Sequence, residues 1–156
     1  MKNVTLKINN TSVTVPEGTR ILDAARQAGY DIPTLCYLKD LTNEGSCRMC
    51  VVEVKGARSL VVSCVGTVAE GMEVFTNTPK VISSRKTTLE LMLSNHKREC
   101  LSCVRSTNCE LQKLALEYGC DDKRFEGEHT HVTVEAVNPY LVRDNDKCIL
   151  CRRCVA

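Results

Sequence analysis

The sequence predicts an α+β fold assembled from small modules in series, with a strand-rich part first and a helical part behind it. Three observations carry this expectation. Apolar and polar residues alternate with period two at residues 4–8 and 12–15, and Val81, Ile82, Leu89, Met92 and Leu93 recur at helical spacing. The eleven cysteines of the 156 residues fall mainly in three groups with different local character.

The first two strands, 4–8 and 12–15, turn back on each other through Asn9-Asn10 and form a hairpin. Thr19 is placed to cap a helix whose apolar face is Ile21, Ala25 and Ala28, with Gly29 as its stop and Pro33 beyond. Residues 30–50 show no period and hold three cysteines, so they read as an irregular loop wrapped around something. Strands follow at 51–54 and 60–64, joined at Gly56, and a closing strand at 72–75. Pro79 opens a connector helix reaching about Ser94, with Val81, Ile82, Leu89, Met92 and Leu93 on its apolar face. A short helix at 109–118 turns Leu111 and Leu114 inward and stops at Gly119. Residues 121–142 are polar and mixed and read as a linker or docking segment.

Hydrophobic residues make up 43% of the chain and charged ones 26%, which suits folded modules and excludes collagen-like or disordered material. No apolar run nears the roughly 18 residues of a membrane span, and the first ten residues lack the apolar core of an export signal, so a cytoplasmic location is expected. A net charge of +2, no Trp, four Tyr and two Phe give no footprint for nucleic acid. No nucleophile–base set, glycine-rich nucleotide fingerprint or P-loop occurs, so no catalytic site is read in these residues. Cysteine is the outlier, and in a reducing compartment thiolate chemistry is favoured over disulfides.

Cys36, Cys47, Cys50 and Cys64 are spaced C-x10-C-x2-C-x13-C. Four thiolates from one loop and one strand end suit a 2Fe-2S cluster. A zinc ribbon would carry two C-x2-C pairs, whereas one occurs here. Gly45 and Ser46 let backbone N–H groups approach bridging sulfides. His96, Cys100, Cys103 and Cys109 form H-x3-C-x2-C-x5-C, which fits structural zinc or a 4Fe-4S cluster. The apolar Leu91-Met92-Leu93 before His96 and the helix after Cys109 favour the cluster, because they exclude water from a site that changes charge. As a neutral ligand, His96 would raise the reduction potential relative to an all-cysteine site. Cys148, Cys151 and Cys154 open the bacterial ferredoxin run C-x2-C-x2-C-x3-C-P, but the sequence stops at Ala156, so this further 4Fe-4S ligand set is incomplete and the chain reads as the N-terminal portion of a longer one. Cys120 is expected as a buried small hydrophobe, and His129, His131, Arg85 and Lys86 as solvated residues without a function.

With the three motifs in this order, the chain resembles the N-terminal electron-input region of iron-only (FeFe) hydrogenases of the NAD(P)-linked multisubunit kind. The resemblance spans essentially the whole chain and rests on Ile32-Pro33-Thr34-Leu35-Cys36-Tyr37-Leu38, Cys47-Arg48-Met49-Cys50-Val51-Val52-Glu53-Val54, Cys100-Leu101-Ser102-Cys103, Asn108-Cys109-Glu110-Leu111-Gln112 and Lys147-Cys148-Ile149-Leu150-Cys151. The same module order is similar to the large iron-sulfur subunit of NADH:quinone oxidoreductase and to NAD-dependent formate dehydrogenase. The resemblance implies a β-grasp 2Fe-2S ferredoxin domain at 1–78, a small helical His-ligated 4Fe-4S domain with its connector helix at 79–120, and a linker with the start of a ferredoxin domain at 121–156. It further implies single-electron relay between a flavin- and NAD(P)-binding subunit and the parent's active site, with a small 2Fe-2S subunit of the same complex and ferredoxin as further partners. The alternative of another class is a zinc-stapled interaction module with no redox role.

Overall fold

The computed structural model describes residues 2–120, 124–126, 134–138 and 140–155, so His129 and His131 lie outside the described residues. The chain divides into two compact units, one of residues 1–85 with 152–156 and one of residues 86–151.

The first unit is built on the hairpin. Strands β1 (Asn3–Ile8) and β2 (Thr11–Pro16) pair antiparallel, and the turn between them is tight enough to place Asn9 and Asn10 at positive φ, 45° and 71°. Both are asparagines, a residue that tolerates the left-handed region better than most. Helix α1 (Ile21–Gln27) follows, then β3 (Val51–Val54), β4 (Val61–Val62) and β5 (Glu73–Phe75). The sheet order is β2-β1-β5-β3-β4, with β1 and β5 parallel and the other pairs antiparallel. Alternation fixes which face is covered: Val4, Leu6 and Ile8 are buried while Asn3, Thr5 and Lys7 are exposed. The buried face packs with Ile21, Leu22, Ala24 and Ala25 of α1 and with Val52 and Val74 in one hydrophobic core.

Two local expectations change. Thr19 does not cap α1; its hydroxyl donates to the Pro16 carbonyl at 2.7 Å, and Arg20 is the capping residue, without a side-chain bond to the helix. The strand expected at 60–64 shortens to Val61–Val62, because the Val62 carbonyl accepts from the Val65 and Gly66 amides and turns the chain just before and around Cys64.

Helix α2 (Pro79–Ser94) runs as expected, but its buried stripe is Val81, Arg85, Leu89 and Leu93, each four residues apart. Ile82, expected inward, is 40% exposed, and Arg85, expected in solvent, is 3% exposed. In the second unit a 3-10 turn at Cys100–Ser102 precedes helix α3 (Glu110–Glu117), whose Leu111 and Leu114 are buried as expected, with Cys109 as the capping residue. At the end of the 121–142 segment, expected as a linker, strand β6 (Glu135–Asn138) pairs with β7 (Leu141–Arg143) as an exposed hairpin. The alternation there is too short and too solvated for a sequence pattern to separate it from a loop.

Candidate metal centres

The segment bearing Cys36, Cys47 and Cys50 is irregular throughout, and its course is set by the backbone. Gly45 stands at φ 64° and Arg48 at φ 56°, left-handed bends that curl the chain so that successive amides face one concavity. Amides of Ser46 and Cys47 reach the Cys36 sulfur, and that of Met49 reaches Cys47. Cys64 arrives from the far end of β4. The amide and hydroxyl of Ser63 both donate to the Cys50 carbonyl, at 3.1 and 2.7 Å, and the Ser63 carbonyl accepts from the Leu22 amide at the start of α1, at 3.0 Å. The core therefore fixes Cys64 against Cys50.

All four cysteines are buried, and their sulfurs fall into two hydrogen-bonded pairs, Cys36 with Cys47 and Cys50 with Cys64. The Cys64 thiol donates to Cys50 and, against the opposing effect of burial, brings Cys50 down to about 6; Cys64 itself is pushed up by the Cys50 sulfur and by burial. Burial likewise pushes Cys47 up to about 11. It acts on Cys36 in the same direction, but hydrogen bonds from Cys47 and Ser46 outweigh it and leave Cys36 below the usual thiol value. Two pairs of thiols, each able to give up its proton to a metal, fit a two-iron cluster with two cysteines per iron. Among the described residues no group of three His, Cys, Asp or Glu side chains converges as a single ion would require.

In the second unit His96, Cys100 and Cys109 line one cavity of about 160 Å³ together with Leu93, Leu111 and Cys120. Cys103 lies on the same loop, half-buried, and does not line that cavity. His96 Nδ1 is buried and has no hydrogen-bond partner among the described residues. Burial first, then the charges of Lys147 and Arg98, hold the imidazole below its usual value and so keep it neutral. A buried, neutral, unpartnered imidazole nitrogen beside thiols has the donor character that an iron-sulfur cluster accepts. Cys120 is 2% exposed, as expected of a small hydrophobe.

At the third group, the Leu150 amide donates to Cys148 Sγ at 3.4 Å, and Leu150 and Arg152 stand at φ 54° and 62°. Left-handed residues between cysteines repeat the device seen at Arg48. Cys148 and Cys154 are exposed and Cys151 is half-buried.

Residues 1–79 match the family model described as a 2Fe-2S iron-sulfur cluster binding domain, and residues 85–124 match the NADH-ubiquinone oxidoreductase-G iron-sulfur binding region. The chain belongs to the 2Fe-2S iron-sulfur cluster binding family. Its cofactors are iron-sulfur clusters, a 2Fe-2S in the first region and a 4Fe-4S in the second. Among similar iron-sulfur proteins is the NADP-reducing hydrogenase subunit HndD of Solidesulfovibrio fructosivorans, 44% identical over 99% of this chain and 27% of that one. The NADH-ubiquinone oxidoreductase 75 kDa subunit of Reclinomonas americana is 39% identical over 97% of this chain and 22% of its own length. A crystal structure of an NAD+-reducing [NiFe]-hydrogenase in the H2-reduced state superposes with a TM-score of 0.89 at 33% identity, over 97% of this chain and 64% of that chain. This chain thus spans about a quarter of the length of those two curated relatives.

Sequence reasoning missed Arg85. Its Nη2 donates to the Val51 carbonyl at 2.7 Å, one residue after Cys50. The signal was present in the four-residue spacing from Val81 and to Leu89, but a cation on that stripe reads as solvated unless its partner is known.

Proposed function

We propose that this chain is the electron-input module of an NAD(P)-linked hydrogenase, passing single electrons from a flavin- and NAD(P)-binding partner, with a small 2Fe-2S subunit of the same complex, toward the hydrogenase active site. Iron-sulfur clusters supply one-electron uptake and release when bound. In this reading Cys36 with Cys47 holds one iron of the 2Fe-2S cluster and Cys50 with Cys64 the other, while His96, Cys100, Cys103 and Cys109 hold the 4Fe-4S cluster. Domain boundaries follow the ligand sets, with residues 1–78 serving the first cluster, 79–120 the second and 121–156 a linker and the opening of a ferredoxin domain.

The observation that carries the reading is the grouping of four buried thiols into two hydrogen-bonded pairs, which suits two irons better than one tetrahedral ion. The chain's own residues then have defined tasks: Leu93 and Leu111 give the His96 cavity an apolar wall, and the Ser46 and Cys47 amides stabilise negative charge on sulfur. The hydrogenase parent is supported by the likeness to HndD across nearly the whole chain. The iron-only class is supported by the motif resemblance and is read from metal analysis of the intact enzyme, where nickel would exclude it.

The test is anaerobic purification with iron and sulfide analysis, visible absorbance and EPR after reduction. Two complete ligand sets predict about six irons per chain and two distinct signals. Zinc in their place, with no visible absorbance, would leave the interaction module instead.

A further inference from the structure

A guanidinium buried to 3% exposure is expensive to keep in a protein interior unless something there needs its charge. Arg85 lies on the buried stripe of α2, between Val81 and Leu89, where an apolar side chain would pack without that desolvation cost. Its Nη2 grips the Val51 carbonyl at 2.7 Å, and the peptide bond joins Val51 directly to Cys50. Cys50 and its partner Cys64 are 1% and 0% exposed, so little water screens any charge placed beside them. Arg85, Val51, Cys50 and Cys64 all belong to the first compact unit.

We propose that Arg85 is an electrostatic positioning residue of the 2Fe-2S site, which holds the carbonyl of Val51, the residue after Cys50, and raises the reduction potential of the cluster. This rests on the assignment of Cys36, Cys47, Cys50 and Cys64 as ligands. The physical cause is the sign of the charge change. With four thiolates the oxidised cluster carries about −2, and one added electron makes it about −3. A fixed cation in a poorly screened interior stabilises the more negative form more strongly and so favours uptake of the electron.

The experiment compares Arg85→Gln and Arg85→Lys with the parent chain, all loaded anaerobically, by redox titration of the 2Fe-2S EPR signal. Removing the charge should shift the reduced-to-oxidised ratio at a set potential about tenfold toward oxidised, ~59 mV for a one-electron couple. Keeping the charge as lysine should move it less than about threefold, a fraction of that interval. An unshifted Arg85→Gln would overturn the proposal, as would Arg85→Lys shifting as far as Arg85→Gln. If Arg85→Lys loads and Arg85→Gln does not, Arg85 serves assembly and the tuning role is lost. A parent chain without a 2Fe-2S signal would instead remove the ligand assignment, an outcome separate from these.

Discussion

At Gly45 the chain leaves no room for a side chain. The backbone is at φ 64°, and a Cβ would stand 2.8 Å from Val65 Cγ2 and 3.3 Å from Val62 Cγ1, on the turn that presents Cys64. Gly45→Ala is therefore strained twice, by conformation and by contact, and the strain falls between two cysteine-bearing segments. The expected outcome is loss of most 2Fe-2S absorbance with the 4Fe-4S signal retained; an unchanged spectrum would mean that the loop can open without harm to the site. At His96 the governing quantity is charge. In the proposed ligand set His96→Cys adds a thiolate, disfavours reduction and should lower the 4Fe-4S potential while leaving the cluster assembled, whereas Cys100→Ala takes a thiolate away and should prevent assembly. Redox titration by EPR reads both, and an unchanged or raised potential in an assembled His96→Cys chain would remove His96 from the ligand set. These residues were legible in sequence because ligand spacing is local information. Arg85 was not, since its role depends on a carbonyl 34 positions away.

Helix α2 shows what a period reveals and what it hides. Its beginning at Pro79 and its end near Ser94 follow from proline at the first turn and from the change of composition beyond, but the rotation of its buried face does not. Val81, Leu89 and Leu93 fix that face, and Arg85 falls on it while Ile82 falls off. Burial then sorts the substitutions. Leu89→Ala, at a fully buried position, should destabilise the fold by about 2–5 kcal/mol, whereas Ile82→Ala, 40% exposed, should stay within about 1 kcal/mol. Denaturant midpoints of the two variants check this, and equal losses would mean that the helix packs through another face. The β6–β7 hairpin marks the opposite limit. Every residue of its two strands is exposed, so no hydrophobic pattern distinguished it, and only the backbone pairing identifies it.

Across the whole chain, charge and ligand count decide how much metal these residues can carry. The formal +2 of the polypeptide falls to about −1 once a 2Fe-2S site of −2 and a His-ligated 4Fe-4S site of −1 are counted, so loading reverses the sign of the molecule. No helix among the described residues is long and apolar enough to cross a membrane. The third cysteine group obeys different arithmetic. In the proposed assignment Cys148, Cys151 and Cys154 supply three thiols to a cluster that needs four ligands, and Cys148 and Cys154 are exposed, whereas all four cysteines of the first site are buried. The Leu150 amide bonded to Cys148 Sγ and the left-handed Leu150 and Arg152 give the loop a bend suited to holding a cluster, but the bend supplies no fourth thiolate. Metal held by three open thiolates would exchange with solvent and chelators, whereas the buried pairs at Cys36/Cys47 and Cys50/Cys64 would not. Replacing all three residues of the third group by serine should therefore leave the 156-residue chain with about six irons and both EPR signals intact after brief chelator treatment. Iron near ten in the parent, or loss of a signal in the triple variant, would show that these cysteines complete a site within the chain, and the division into two full ligand sets and one partial set would fall with it.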